Sequence, residues 1–165
     1  MKTVTVITGG AGGMGRATAE ILGKDHHVLI SDVAQERLDK TTSELRQLGV
    51  ECDSTVCDIT DPASVDALID RASAIGQLTS IIHTAGVSPQ MADPRTIMRI
   101  NALGTLNVVN ASYRIAGEGF ALVNVASMAA YVFPALLTPR RAYPLALTDA
   151  TSFLRKSLRF PRLRS

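Results

Sequence analysis

The chain has 165 residues, 46% hydrophobic and 19% charged, with a formal net charge of +2. That length buries one substantial core, and the balance is that of a globular domain, which excludes a disordered or collagen-like chain. No apolar run reaches the roughly 20 residues that span a bilayer, and the sequence opens on a strand, so neither a membrane partner nor a leader is expected and the expected location is cytoplasmic.

The charge is unevenly placed. Residues 1–138 carry ten Lys and Arg against fourteen Asp and Glu, whereas residues 139–165 carry seven basic residues and one acid. The two cysteines, Cys52 and Cys57, flank one short predicted strand and have no second pair at zinc-ligand spacing. They read as reduced, buried thiols, and no metal site is expected.

Taken in chain order, apolar β-type runs alternate with helical patterns. Residues 3–8 predict a first strand and 13–24 a first helix. Between them lies Thr8-Gly9-Gly10-Ala11-Gly12-Gly13-Met14-Gly15. A glycine-rich turn between strand and helix suits a phosphate: the chain turns sharply, the backbone approaches the anion closely, and the amide groups and positive dipole end of the helix face it. Gly9, Gly13 and Gly15, with Met14 between the last two, form a T-G-x-x-x-G-x-G variant of the dinucleotide fingerprint. A second strand over 27–31 is followed by Asp32, placed to accept hydrogen bonds from an adenosine ribose.

Residues 34–48 predict a second helix and 50–56 a third strand. Asp61-Pro62 starts a third helix, since Asp caps well and Pro suits the first turn. Its buried stripe is Val65, Leu68, Ile69 and Ala72. A fourth strand spans 79–84. Asp93-Pro94 starts a fourth helix in the same way, running to about Ala116, and 121–125 is a fifth strand. Five strands alternating with helices require parallel crossovers, hence an α/β, Rossmann-type, doubly wound sheet of order 3-2-1-4-5. Residues 1–130 form this domain. Residues 131–150 read as an insertion-like loop and 151–165 as a basic irregular tail, although 148–157 has the pattern of a short helix.

Several separated motifs, in order over about residues 3–130, resemble the short-chain dehydrogenases/reductases: the glycine loop, Asp32, Cys57-Asp58-Ile59, His83-Thr84-Ala85-Gly86, Asn101-Ala102-Leu103-Gly104 and Val123-Asn124-Val125-Ala126-Ser127. The resemblance implies that Asp58 contacts the adenine amino group while Ile59 packs beside the ring. It implies that Ala85 and Gly86 let the cofactor approach the backbone; His83 and Thr84 depart from the asparagines of the family's N-N-A-G. His83 itself reads as a strand-end histidine bonded to backbone rather than a catalytic one. Asn101 matches an asparagine that kinks its helix and holds a water of the proton relay. Ser127 matches the catalytic serine, whose hydroxyl bonds the substrate oxygen. Asp32 repels a 2′-phosphate, so NAD is expected over NADP, with Arg16 and Arg37 placed to soften that preference.

The family mechanism also uses Tyr-x-x-x-Lys, one helical turn apart on one face. Here Tyr131 is followed four residues later by Ala135 and Tyr143 by Leu147; the only lysine after Lys40 is Lys156. Two readings stay open. Either the chain lacks the family's last strands and helices and ends, with a foreign Arg-rich segment, before the active tyrosine, or Tyr143 serves alone beside an arginine. The first implies an open edge at the fifth strand and a marginal or partner-dependent fold. The expected function is NAD-dependent oxidation or reduction of a small secondary alcohol or ketone, hydroxysteroid-type or similar, with impaired activity; the alternative is an inactive NAD-binding or regulatory module. A homo-oligomer is compatible with the resemblance. The cluster Arg155, Lys156, Arg159, Arg162 and Arg164 has no reading helix and only Phe153 and Phe160 as aromatics, so nucleic acid is not an expected partner.

Overall fold

Strand residues alternate in side and so feed two separate cores. The computed structural model describes residues 2–127 and 147–157. It contains β1 (Thr3–Thr8), α1 (Gly13–Leu22), β2 (His27–Asp32), α2 (Gln35–Gln47), β3 (Cys52–Val56), α3 (Pro62–Ile75) and β4 (Gln77–His83). A short α4 (Pro94–Met98), a π-helical segment (Arg99–Gly104), α5 (Thr105–Ile115), β5 (Ala121–Asn124) and α6 (Ala150–Ser157) follow. The strands form one parallel sheet in the order β3-β2-β1-β4-β5, the doubly wound arrangement expected from the alternation. Val4, Val6, Leu29 and Ile81 pack on one face with Val65, Leu68, Ile69 and Ala72 of α3 and Val108 and Ala111 of α5. Ile7, Val28 and Ile30 pack on the other with Ala19 of α1 and Leu38 and Leu45 of α2. Strands covered on both faces are why the runs in the sequence read as nearly continuous hydrophobics.

The two Asp-Pro pairs begin helices. Asp61 accepts from the amide of Ala63 at 3.0 Å, and Asp93 from Arg95 and Thr96 at 2.9 and 3.2 Å. Each carboxylate satisfies amides that the first helical turn leaves without partners. Cys52 and Cys57 are buried free thiols. Burial pushes Cys52 up to about 11 and raises Cys57 as well, so neither is a thiolate nucleophile.

Three expectations need correction. The fourth helix is not α-helical throughout: its middle, at the Asn101 where the resemblance implies a kink, widens into the π-helical segment Arg99–Gly104. The Asn101 side chain leaves the helix to bond Val87, and the Thr105 hydroxyl bonds back to the Asn101 carbonyl at 2.8 Å. Within the segment assigned as tail, residues 151–157 are helical rather than irregular, in line with the short-helix pattern of 148–157. Asp149 caps that helix through the Ser152 amide, and Phe153 and Leu154 bury against Met98, Ala102 and Leu103. The insertion-like reading of 131–146, both tyrosines Tyr131 and Tyr143, and Arg159, Arg162 and Arg164 lie outside the described residues.

The third correction concerns His83. Its ring bonds two threonine hydroxyls rather than backbone: Nδ1 lies 2.6 Å from Thr8 Oγ1 and Nε2 3.0 Å from Thr105 Oγ1. With Thr5 Oγ1 2.8 Å from Ser80 Oγ, it forms a polar seam between the two central strands. At β5 the sheet is more open, with Val123 and the following Val125 about half exposed.

Burial pushes the His83 imidazole down to about 4 from 6.5, with no charged neighbour contributing. Between those values the unfolded chain binds the proton and the folded protein does not. Stability is therefore full above about pH 6.5 and declines as pH falls toward 4, by on the order of 3 kcal/mol. Urea denaturation of wild type and His83→Asn across that range checks this. The wild type should lose stability more steeply on acidification than the variant, since the carboxylates are common to both; parallel slopes would disprove it.

Candidate functional site

At the C-terminal edge of the sheet the glycine loop closes over the end of β1. Gly9 takes φ +67°, and a Cβ there would stand 2.8 Å from the Ala85 backbone, so the two loops meet through bare backbone. A Cβ on Gly15 would meet the Gly9 carbonyl oxygen at 2.4 Å. Loop and helix start are thus locked together: the Gly12 amide bonds Gly9 O and the Gly10 amide bonds Ser31 O, both at 2.9 Å. Gly13 differs, because a Cβ built there meets nothing within 4 Å.

Over this edge lies a cavity of about 280 Å³, at the small end of the range for ligand sites. Gly9, Gly13, Met14, Gly15, Asp32, Asp58, Ile59, Ala85 and Gly86 all line it. The structure thus gathers onto one surface residues that come from the ends of β1, β2, β3 and β4. Ser31 lines it too, and its hydroxyl is buried without a hydrogen-bond partner. Sequence reasoning missed the apolar wall made by Val33, Val87, Met91 and Ile100. Ile100 had one signal, its place beside Asn101.

The acidic positions are held differently. Asp32 is nearly buried, and its Oδ1 accepts from Val33 N at 2.8 Å and from Arg37 at 2.6 Å. One carboxylate oxygen is therefore committed to the loop and to an exposed guanidinium; Oδ2 has no partner among the described residues. Asp58 Oδ1 takes the Thr60 amide at 2.8 Å, and its own amide bonds the Ser64 hydroxyl. The Ile59 carbonyl is held by Asn107 at 2.9 Å, and Gly104 lets the π-helical segment lie against the Ile59 side chain. Arg16 pairs with Glu20 and Glu44.

Asn101 and Ser127 do not line this cavity. The Asn101 amide clamps the Val87 backbone in both directions, accepting from N at 2.9 Å and donating to O at 2.8 Å. Ser127 is exposed, three residues beyond the end of β5. Among the described residues no group of three or more His, Cys, Asp and Glu is arranged to hold a metal, and no helix is long and apolar enough to cross a membrane.

A parallel, doubly wound sheet with a glycine-rich loop, an acid and two backbone-lined strand ends around one cleft defines a nucleotide-binding α/β fold. The sequence profile of the short chain dehydrogenase family matches residues 3–142. This chain belongs to that family. It is 29% identical over 131 residues to the short-chain dehydrogenase/reductase bsc3 of Alternaria brassicicola, covering 79% of this chain and 48% of that protein. It is 35% identical over 139 residues to a hydroxy-methyl-oxo-hexahydroindene-carboxyl-CoA reductase of Mycobacterium tuberculosis, covering 76% and 53%. The crystal structure of a short-chain dehydrogenase/reductase from Burkholderia phymatum in complex with NAD superposes with a TM-score of 0.72 at 29% identity, over 81% of this chain and 52% of that one. The chain spans about half the length of these relatives.

The loop geometry gives a stability test. Gly15→Ala must displace backbone, since the contact is with a carbonyl rather than a flexible side chain, and should cost on the order of 1–3 kcal/mol. Thermal or urea unfolding checks it; a variant as stable as wild type would show that the loop is free to move.

Proposed function

We infer that this chain binds a nicotinamide dinucleotide, NAD in preference to NADP, and that its reaction, where it turns over, is oxidation or reduction of a small secondary alcohol or ketone. The observation that carries this is the gathering of the glycine loop, Asp32, Asp58, Ile59, Ala85 and Gly86 around one cavity. Two features support the fit. Gly13 leaves open the space that a Cβ would take, and the Ser31 hydroxyl is buried with its hydrogen-bonding capacity unspent.

In this reading the amides at the start of α1 and the bare backbone of Gly13–Gly15 hold the diphosphate. Asp32 Oδ2 accepts from a ribose hydroxyl, Asp58 takes the adenine amino group, and Ile59 packs beside the base. The dinucleotide supplies hydride chemistry when bound. The Ser127 hydroxyl hydrogen-bonds the substrate oxygen, and Asn101 keeps the relay position by holding the turn around Val87. The sequence contains no Tyr-x-x-x-Lys. Loss of a general acid–base group costs about 10²–10⁴ in rate, so turnover by this chain is weak. That same absence favours the second reading, a module that binds dinucleotide without chemistry. Calorimetric binding of NAD and a turnover assay on one preparation separate the two.

Gly13→Ala tests the site without disturbing the fold. Alanine is the better helix former by up to about 1 kcal/mol, so the variant should be at least as stable as wild type. Its NAD affinity should fall about tenfold or more, because the added methyl takes the space assigned to diphosphate, at a cost of roughly 1.4 kcal/mol or more. Unchanged affinity would remove the loop from the binding site.

Asp32→Asn tests cofactor choice. It keeps shape, removes the charge that repels a 2′-phosphate, and frees Arg37. NAD binding should weaken by about tenfold, the worth of one charge-assisted hydrogen bond, while NADP binding strengthens. A wild type that prefers NADP in titration would overturn the assignment.

A further inference from the structure

The seam residues Thr8, His83 and Thr105 do not line the cavity, yet their hydrogen bonds have a single consistent direction that ends on its wall. Thr105 Oγ1 is 2.8 Å from the Asn101 carbonyl and gives it its one proton. That oxygen, 3.0 Å from His83 Nε2, is then an acceptor, so Nε2 carries a hydrogen. Nδ1 is left bare and accepts the hydroxyl proton of Thr8 at 2.6 Å. Thr8 Oγ1 in turn accepts from the Ala85 amide at 3.5 Å. Only the neutral Nε2–H form of His83 satisfies every partner; the other tautomer sets two acceptors against each other at Thr105 and two donors at Thr8 unless the threonines rearrange.

The two ends of this chain of bonds are the two anchors of the cavity segment 85–87. Ala85 hangs from Thr8, and Val87 is clamped by Asn101 on both backbone atoms. We propose that His83 is a positioning residue: through Thr8 and Thr105 it couples the end of β1 to the π-helical segment, and so sets the position of the 85–87 backbone on which a dinucleotide would lie. An asparagine or valine at 83 reaches only one anchor or neither. The binding half of this proposal rests on the dinucleotide reading given above; the hydrogen-bond half does not.

The test uses the full chain, labelled with nitrogen-15. Long-range proton–nitrogen spectra of the imidazole at neutral pH should show His83 as the Nε2–H tautomer. Thr105→Val removes the acceptor without touching the cavity. It should shift that tautomer equilibrium, speed hydrogen exchange of the Val87 amide by about tenfold, the worth of one hydrogen bond, and weaken NAD binding by a similar factor. Thr105→Ser, which keeps the hydroxyl, should restore all three; a purely structural methyl or packing role would not respond to serine in that way. An Nδ1–H tautomer in the wild type, or Val87 exchange unchanged in a folded Thr105→Val, overturns the proposal. Should Thr105→Val fail to fold, the wild-type tautomer and the serine variant decide it. A wild type with no NAD affinity would refute the dinucleotide reading and the binding half with it, while the tautomer and exchange results would still decide the hydrogen-bond half.

Discussion

Between β1 and β4 the crossovers reverse direction, and the rest of the site depends on that reversal. The chain leaves β1 toward α1, on the face of Ile7, Val28 and Ile30, and leaves β4 toward α5, on the face of Val4, Val6 and Ile81. Two loops departing in opposite directions from adjacent strands must leave a crevice at the carboxyl edge. What closes its floor is the contact of Gly9 with the Ala85 backbone, too tight for any side chain on the first. The glycine loop is therefore shaped from below by β4 as well as by its own sequence. Its geometry follows from the pairing of strands far apart in the chain.

That dependence explains which features were legible in the sequence. Strands covered on both faces advertise themselves as apolar runs, and Asp61-Pro62 and Asp93-Pro94 mark helix starts because capping is local chemistry. Sheet order followed from the handedness of crossovers. Local periodicity was silent on bonds that span 75 residues. His83 at the end of an apolar run gave no hint that Thr8 and Thr105 would take both ring nitrogens. The helix pattern through Asn101 is likewise intact as a pattern; its widening comes from a side chain drawn out to Val87, a partner set by the fold. Phe153 and Leu154 show the same limit, since their burial depends on where Met98, Ala102 and Leu103 lie.

The acid at the end of β2 was legible as a position but not as an electrostatic environment. Its Oδ1 is taken by Arg37 and the loop amide, leaving one oxygen to any sugar hydroxyl. The pairing cuts two ways. It keeps a nearly buried carboxylate oriented, and it parks an exposed cation beside that carboxylate. Arg16, named with Arg37 as a second moderating charge, is occupied by Glu20 and Glu44. In the proposed reading, cofactor preference would rest on a single pair, and on how much of Arg37's interaction with Asp32 survives at its exposed end, where solvent and salt screen it.

Binding and chemistry are physically separable in this fold. The residues assigned to the dinucleotide sit on four strand ends fixed by the central sheet, where packing is densest and Val4, Val6, Ile7, Leu29 and Ile30 are fully buried. Ser127 follows the outermost described strand, whose side chains are half exposed. Burial thus declines from the central strands outward to the serine. A group that must meet a reacting oxygen to within a few tenths of an ångström needs support as firm as that of the central strands. Asn101 stands between the two regimes. It belongs to the catalytic set by resemblance, but here its amide is spent on Val87, a residue of the cavity wall, so the element that the resemblance places in proton transfer is in this chain also a strut of that wall.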